Sequence, residues 1–190
     1  DFAGAFAGIG KAQATWLWDG ELRIVHLTIA GAAGNGADYT VDPQSAIFRN
    51  LRLAMDAARD PVQRLEIASY EPIFFRLKAQ VLIDPNALPE QVLAAVKRAL
   101  QKAYGFEQRS FGQPVHKSEV LAIIQAVEGV TAVFLDQLYL RGETAELKTP
   151  LIANRAVRDE APGSPQGGIK AAQLLLLDTV GIEVTEEVGT

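Results

Sequence analysis

Hydrophobic and polar positions along this chain change period several times, and each change predicts an element. The clearest strand is "FRLKAQVLI", in which Phe75, Leu77, Ala79, Val81 and Ile83 fall on one side and Arg76, Lys78 and Gln80 on the other. Near the start, "GKAQATWLW" and "LRIVHLTIA" read as strands flanking Asp19-Gly20, a two-residue hairpin signal. In the second of them Val25, Leu27 and Ile29 share a face. "RLEIASY" reads as a strand stopped by Pro72, which cannot donate to a ladder. "VTAVFLDQLYL" reads as another.

The 3.6-residue period takes over elsewhere. Residues 2–8 read as the end of a short helix, and 31–44 as a polar loop. A helix over 45–58 carries Ile47, Leu51, Ala54 and Ala58 on one stripe. Pro89 suits the first turn of a helix with Val92, Val96, Ala99, Leu100 and Ala103 inward, and Gly105 closes it. In "FGQPVHKSEVLAIIQAVEGV", Gly112 and Pro114 shape a turn. Ser118 is then the expected N-cap of a helix bearing Val120, Leu121, Ile124 and Val127, which Gly129 ends.

Element order repeats. "AFAGIGKA" (5–12) and "AVEGVTAV" (126–133) match, and "DGEL" (19–22) and "RGET" (141–144) both supply a turn after the strand. The expected fold class is therefore α+β, with two related modules of helix–strand–strand units, 1–71 and 72–155. A Pro/Gly/charge linker, "RDEAPGSPQGG", opens a third segment, 156–190, that runs through "IKAAQLLLLDTVGIEVTEE" as a strand extension with an acidic end.

Composition narrows the function classes. The chain has 190 residues, 48% of them hydrophobic, and a net charge of −5 with a pI near 5.1. That balance argues against a nucleic-acid groove, which needs a basic stripe. With no cysteine, disulfide scaffolds, thiolate metal sites and thiol nucleophiles are excluded, as suits a reducing cytoplasm or a particle assembled there. No stretch approaches the ~20 apolar residues of a membrane span. The chain opens on Asp1 rather than Met, without a signal peptide, and is expected to be a fragment.

Candidate chemistry is thin. Gly10-Lys11 lacks the Gly and Ser/Thr of a phosphate loop, since Ala5 and Ala12 stand there. "GAAGNG" (31–36) runs in the reverse order of the dinucleotide fingerprint. His26 and His116 have no metal-pair spacing and read as structural or surface residues. His116, Ser118, Glu119 and Asp136 are the residues a hydrolase would use, but an N-cap explains Ser118 without a third orienting group. The expectation is thus no catalytic, cofactor or metal residue. Trp16 and Trp18, on one side of their strand, fit either a core layer or an interface anchor. Leu174, Leu175, Leu176 and Leu177 are the only run of four large aliphatics. In a strand two of them would face outward, which makes the run a second candidate interface.

The stretch "VLIDPNALPEQVLAAVKRALQKAYGF", the turn "FGQPV", the helix "SEVLAIIQAVEGV" and the strand after it resemble the baseplate J-like, or baseplate assembly, proteins of contractile phage tails and related injection systems. "DFAGAFAGIGKAQATWLW" through "YEP" and "LLLLDTVGIEV" are similar to the parts before and after these. The resemblance implies a structural wedge component rather than an enzyme, without cofactor. Its partners would be other baseplate subunits and further copies of itself, with no nucleic acid and no membrane span. It would sit in a virion or tail-like particle assembled in the bacterial cytoplasm. A tail-associated hydrolase or a small-ligand-binding module is the alternative.

Overall fold

The computed structural model describes residues 3–18, 21–32, 39–159 and 168–187. It is an α+β structure of two units, whose composition cuts across the expected segments. The first unit joins Asp1–Pro72 to Asn154–Gln173, and the second joins Ile73–Ala153 to Leu174–Thr190. The expected segment 156–190 is therefore divided between them.

In the first unit, a 3-10 turn at Ala3–Ala5 leads into strand β1 (Ile9–Trp18), which pairs antiparallel with β2 (Arg23–Gly31). The expected turn residues Asp19 and Gly20 lie outside the described residues, as does most of "GAAGNG". Helix α1 (Ala46–Ala58) follows, and β3 (Leu65–Ser69) then pairs parallel to β2, giving the order β1-β2-β3. Ser45 caps α1, its Oγ accepting from the Phe48 amide at 3.2 Å. The buried stripe of α1 centres on Phe48 and Leu51, with Ile47 and Met55 beside them, instead of the expected Ala54 and Ala58. Large side chains reach the sheet, whereas alanines leave little area to bury.

β2 departs from simple alternation. Val25, Leu27 and Ile29 line the core with α1, as expected, but Ile24, His26, Thr28 and Ala30 on the other face are buried too. The cause is the later segment of the same unit: the Ala172 amide donates to Thr28 Oγ1 at 3.1 Å, and the Ala172 carbonyl accepts from the Glu71 amide. A ribbon of β6 (Val157–Arg158) and β7 (Ile169–Lys170) belongs to this segment. Its elements sit late in the chain, so nothing in "LRIVHLTIA" announces the second cover.

In the second unit, β4 (Glu71–Ile83) lies between β5 (Val130–Leu140) and β8 (Gln173–Glu186). Pro72 does not separate strands as expected. It occupies the second position of β4, where a missing donor is tolerated. The predicted inward set of Phe75, Leu77, Ala79, Val81 and Ile83 is buried and meets Val92, Val96 and Leu100 of α2 (Pro89–Ala103) and Val120 and Ile124 of α3 (Lys117–Gln125). Tyr104, not Gly105, is the C-cap of α2. Gly105 has an ordinary φ of −75° and is small for another reason: a Cβ there would sit 2.9 Å from the Gln101 carbonyl oxygen.

Two expectations about this unit are corrected. Ser118 is not the N-cap of α3. His116 holds that position without a side-chain cap, and the Lys117 amide donates instead to Thr149 Oγ1 at 3.0 Å. The four leucines 174–177 are all buried in β8, so no outward pair exists. Leu175 and Leu177 join the core with α2 and α3, and the opposite face carrying Leu174 and Leu176 is covered as well.

The internal repeat holds at one point and stops there. Gly8 and Gly129 adopt φ of +90° and +88°, each immediately before a strand, a conformation that a side chain strains. Around them the elements differ. A 3-10 turn precedes β1, but the nine-residue helix α3 precedes β5. β1 turns back into β2, whereas β5 pairs with the earlier β4.

Candidate interaction surface

β1 is the end strand of its sheet, so its outer edge presents main-chain donors and acceptors that no strand of that sheet pairs. Its alternation places Ala12, Ala14, Trp16 and Trp18 on one face. The register puts Trp16 opposite Val25 and Trp18 opposite Arg23, at the end where β1 runs on into β2. Toward the other end this face is closed, because Ala12 packs against the core cluster to which Leu27, Ile29, Phe48 and Leu51 belong. Trp16 and Trp18 reach past that cover and are 60% and 55% exposed. Of the two readings that fit the tryptophan pair, the core layer is thereby removed. Two indoles in solvent on one strand edge form a concentrated apolar feature, of the kind that anchors interfaces.

The residues a hydrolase would use do not form a unit. His116 and Ser118 are exposed at the start of α3. Glu119 is engaged by Arg109 at 3.3 Å, and Asp136 accepts from the Gln80 side chain at 2.9 Å. A depression of about 710 Å³ in the same unit is lined by Asp84, Leu88, Gln91, Arg98 and Glu128, among others, but by none of those four residues. In the first unit, a depression of about 490 Å³ lies among Asp42, Ser45, Ser69 and Tyr70. His26 is buried in β2, where Thr28 Oγ1 lies 3.4 Å from its Nδ1, and burial lowers its pKa and favours the neutral ring. Gly10 and Lys11 lie in β1, where a Cβ on Gly10 would meet the Gly31 carbonyl oxygen at 2.7 Å. That position is a register irregularity within the β1–β2 pair, not the loop opening a helix that a phosphate cradle uses.

Sequence reading missed one polar centre altogether. Arg109 is 1% exposed, sits over the Tyr104 ring at 5.3 Å, and donates to the carbonyls of Gln113 and Pro114 at 3.0 and 2.8 Å. Burial lowers the guanidinium pKa, opposed by the Glu119 carboxylate, and burial raises that of the Tyr104 phenol. Every one of these contacts ties down the connection between α2 and α3. The only available signal was an arginine in a short loop flanked by aromatics, which is common on surfaces as well.

Residues 1–68 match the family model of the baseplate J-like central domain. No curated protein matches the chain. The matched region contains β1, β2, α1 and all but the last residue of β3, and with them the tryptophan pair.

Proposed function

From the baseplate J-like central domain that residues 1–68 form, and the structural role in a phage tail baseplate that goes with it, we propose that this chain is a wedge or assembly subunit of a contractile tail or related injection system. It works through contacts with other baseplate subunits and further copies of itself, and carries out no chemistry of its own. The observation that supports contact as its mode of action is the exposure of Trp16 and Trp18 on an end strand within the matched domain. An apolar pair of this size would be selected against on a surface that meets only water. The exposure of His116 and Ser118, with Glu119 held by Arg109 and Asp136 by Gln80, favours this reading over the hydrolase. Assembly in the bacterial cytoplasm and independence from nucleic acid belong to the same proposal, in keeping with the acidic balance and the absence of cysteine.

The test is complementation of a tail gene deletion. The unaltered chain, within its full-length protein, should restore baseplates in electron micrographs. His116→Ala should restore them equally well, and Trp16→Ser/Trp18→Ser should fold yet fail. Loss of particles with His116→Ala, while the protein remains folded and incorporated, would overturn the scaffold reading.

A further inference from the structure

The outer edge of β1 is unevenly protected. Strand edges are commonly guarded by charge, proline or a bulge. Here a register irregularity lies between Ile9 and Lys11, and Lys11 is the only charged residue of the strand. Both lie at its beginning. From Ala12 to Trp18, "AQATWLW", there is no charge, no proline and no shift of register.

That stretch is complementary to itself. An antiparallel pairing of two copies centred on Thr15 places Ala14 opposite Trp16 of the second copy and Ala12 opposite Trp18, all on one face. Each indole then lies against an alanine, large beside small, in both directions. On the other face Thr15 meets Thr15 and Gln13 meets Leu17, with no like charges opposed. A register moved by two residues, centred on Gln13 or Leu17, forfeits these matches, and the latter sets bulky Trp16 against Trp18.

We propose that β1 is a homotypic edge: two copies of this chain join through antiparallel β1–β1 pairing across Ala12–Trp18, about a two-fold axis at Thr15. This rests on the contact reading above and names the partner at its tryptophan surface. The size of the surface sets the strength. With 60% and 55% of the indoles in solvent, each contributes roughly 100–150 Å². Four of them supply roughly 400–600 Å², about a third of a standard interface of 1,200–2,000 Å². The paired backbones and the residues between add to this. The pair is therefore a reversible dimer that dissociates on dilution, with a dissociation constant on the order of micromolar, and becomes durable only when other contacts in an assembly act alongside it.

The chain has no cysteine, so one introduced thiol reports on one place. Thr15→Cys should give a covalent dimer under mild oxidation, because Cα atoms directly opposite in an antiparallel pair lie about 4.5–5.5 Å apart, within disulfide reach. Val62→Cys, 90% exposed and outside β1, is the control for random collision. In sedimentation equilibrium the unaltered chain should dimerise. Ala14→Lys, at an exposed position, and Trp16→Ser should each raise the dissociation constant more than tenfold while circular dichroism stays unchanged. A chain that remains monomeric into the hundreds of micromolar, with Thr15→Cys cross-linking no faster than Val62→Cys, overturns the inference. If that monomer still restores baseplates through the complementation test, the contact reading stands and the partner at β1 is another subunit. If it dimerises yet is absent from tail particles, the edge stands and the contact reading falls.

Discussion

At the scale of single residues, the decisive side chain is Arg109, whose guanidinium is enclosed and committed to Glu119 and two loop carbonyls. Replacing it by Met keeps bulk but strands the carbonyls of Gln113 and Pro114 without a donor. Unsatisfied buried acceptors cost about 1–3 kcal/mol each. Glu119, with its side chain 37% exposed, can turn to water and adds little. Arg109→Met should therefore destabilise by about 2–4 kcal/mol, and Glu119→Gln by less than about 1 kcal/mol. Urea midpoints measure both. Equal losses would mean that the ion pair, rather than the carbonyl clamp, carries the loop. The same contrast runs through the polar residues that sequence made prominent. His116 and Ser118 stand together in "HKSE", yet both are exposed, because a helix start displays its first turn to solvent unless another segment covers it.

At the scale of elements, β4 and α2 follow their patterns closely, since each buries one face against one core and the period states which. β2 and β8 do not. The buried run Leu174–Leu177 offers no outward pair, and both sides of β8 are expected to respond alike. Leu174→Ala and Leu175→Ala should each cost about 2–5 kcal/mol by denaturant unfolding, as fully enclosed leucines do. A loss below about 1 kcal/mol at Leu174 alone would reopen its face as a surface. The start of α3 teaches a related lesson. Local sequence offers Ser118 as a cap, but the Lys117 amide is served by Thr149, from a loop far along the chain. No local rule sees such a partner.

At the scale of the whole molecule, the chain leaves the first unit after Pro72, returns to it at Asn154, and enters the second again at Leu174. A truncation after Ala153 thus strikes both units. The first loses the segment that covers His26 and Thr28, and the second loses β8, with Leu175, Leu177, Ile182 and Val184 from its core. The expected outcome is a chain without a cooperative thermal transition and with amide exchange fast in β2 and β4 alike. Protection surviving in either strand would show that its unit folds without its returning segment.

By itself, the sequence determined the α+β class, the inward face of β4 and the stripe of α2, while leaving Trp16 and Trp18 open between core and surface until the structure exposed them. Periodicity and turn chemistry act between neighbours, so a reader of neighbours recovers them. Only the tertiary structure decided which strands are covered twice, which unit owns the returning segment, where the leucine run goes, and why Arg109 is buried. Each of those depends on residues brought together across long stretches of chain. Burial there is set by what arrives from elsewhere, and a pattern local to one element carries no record of it.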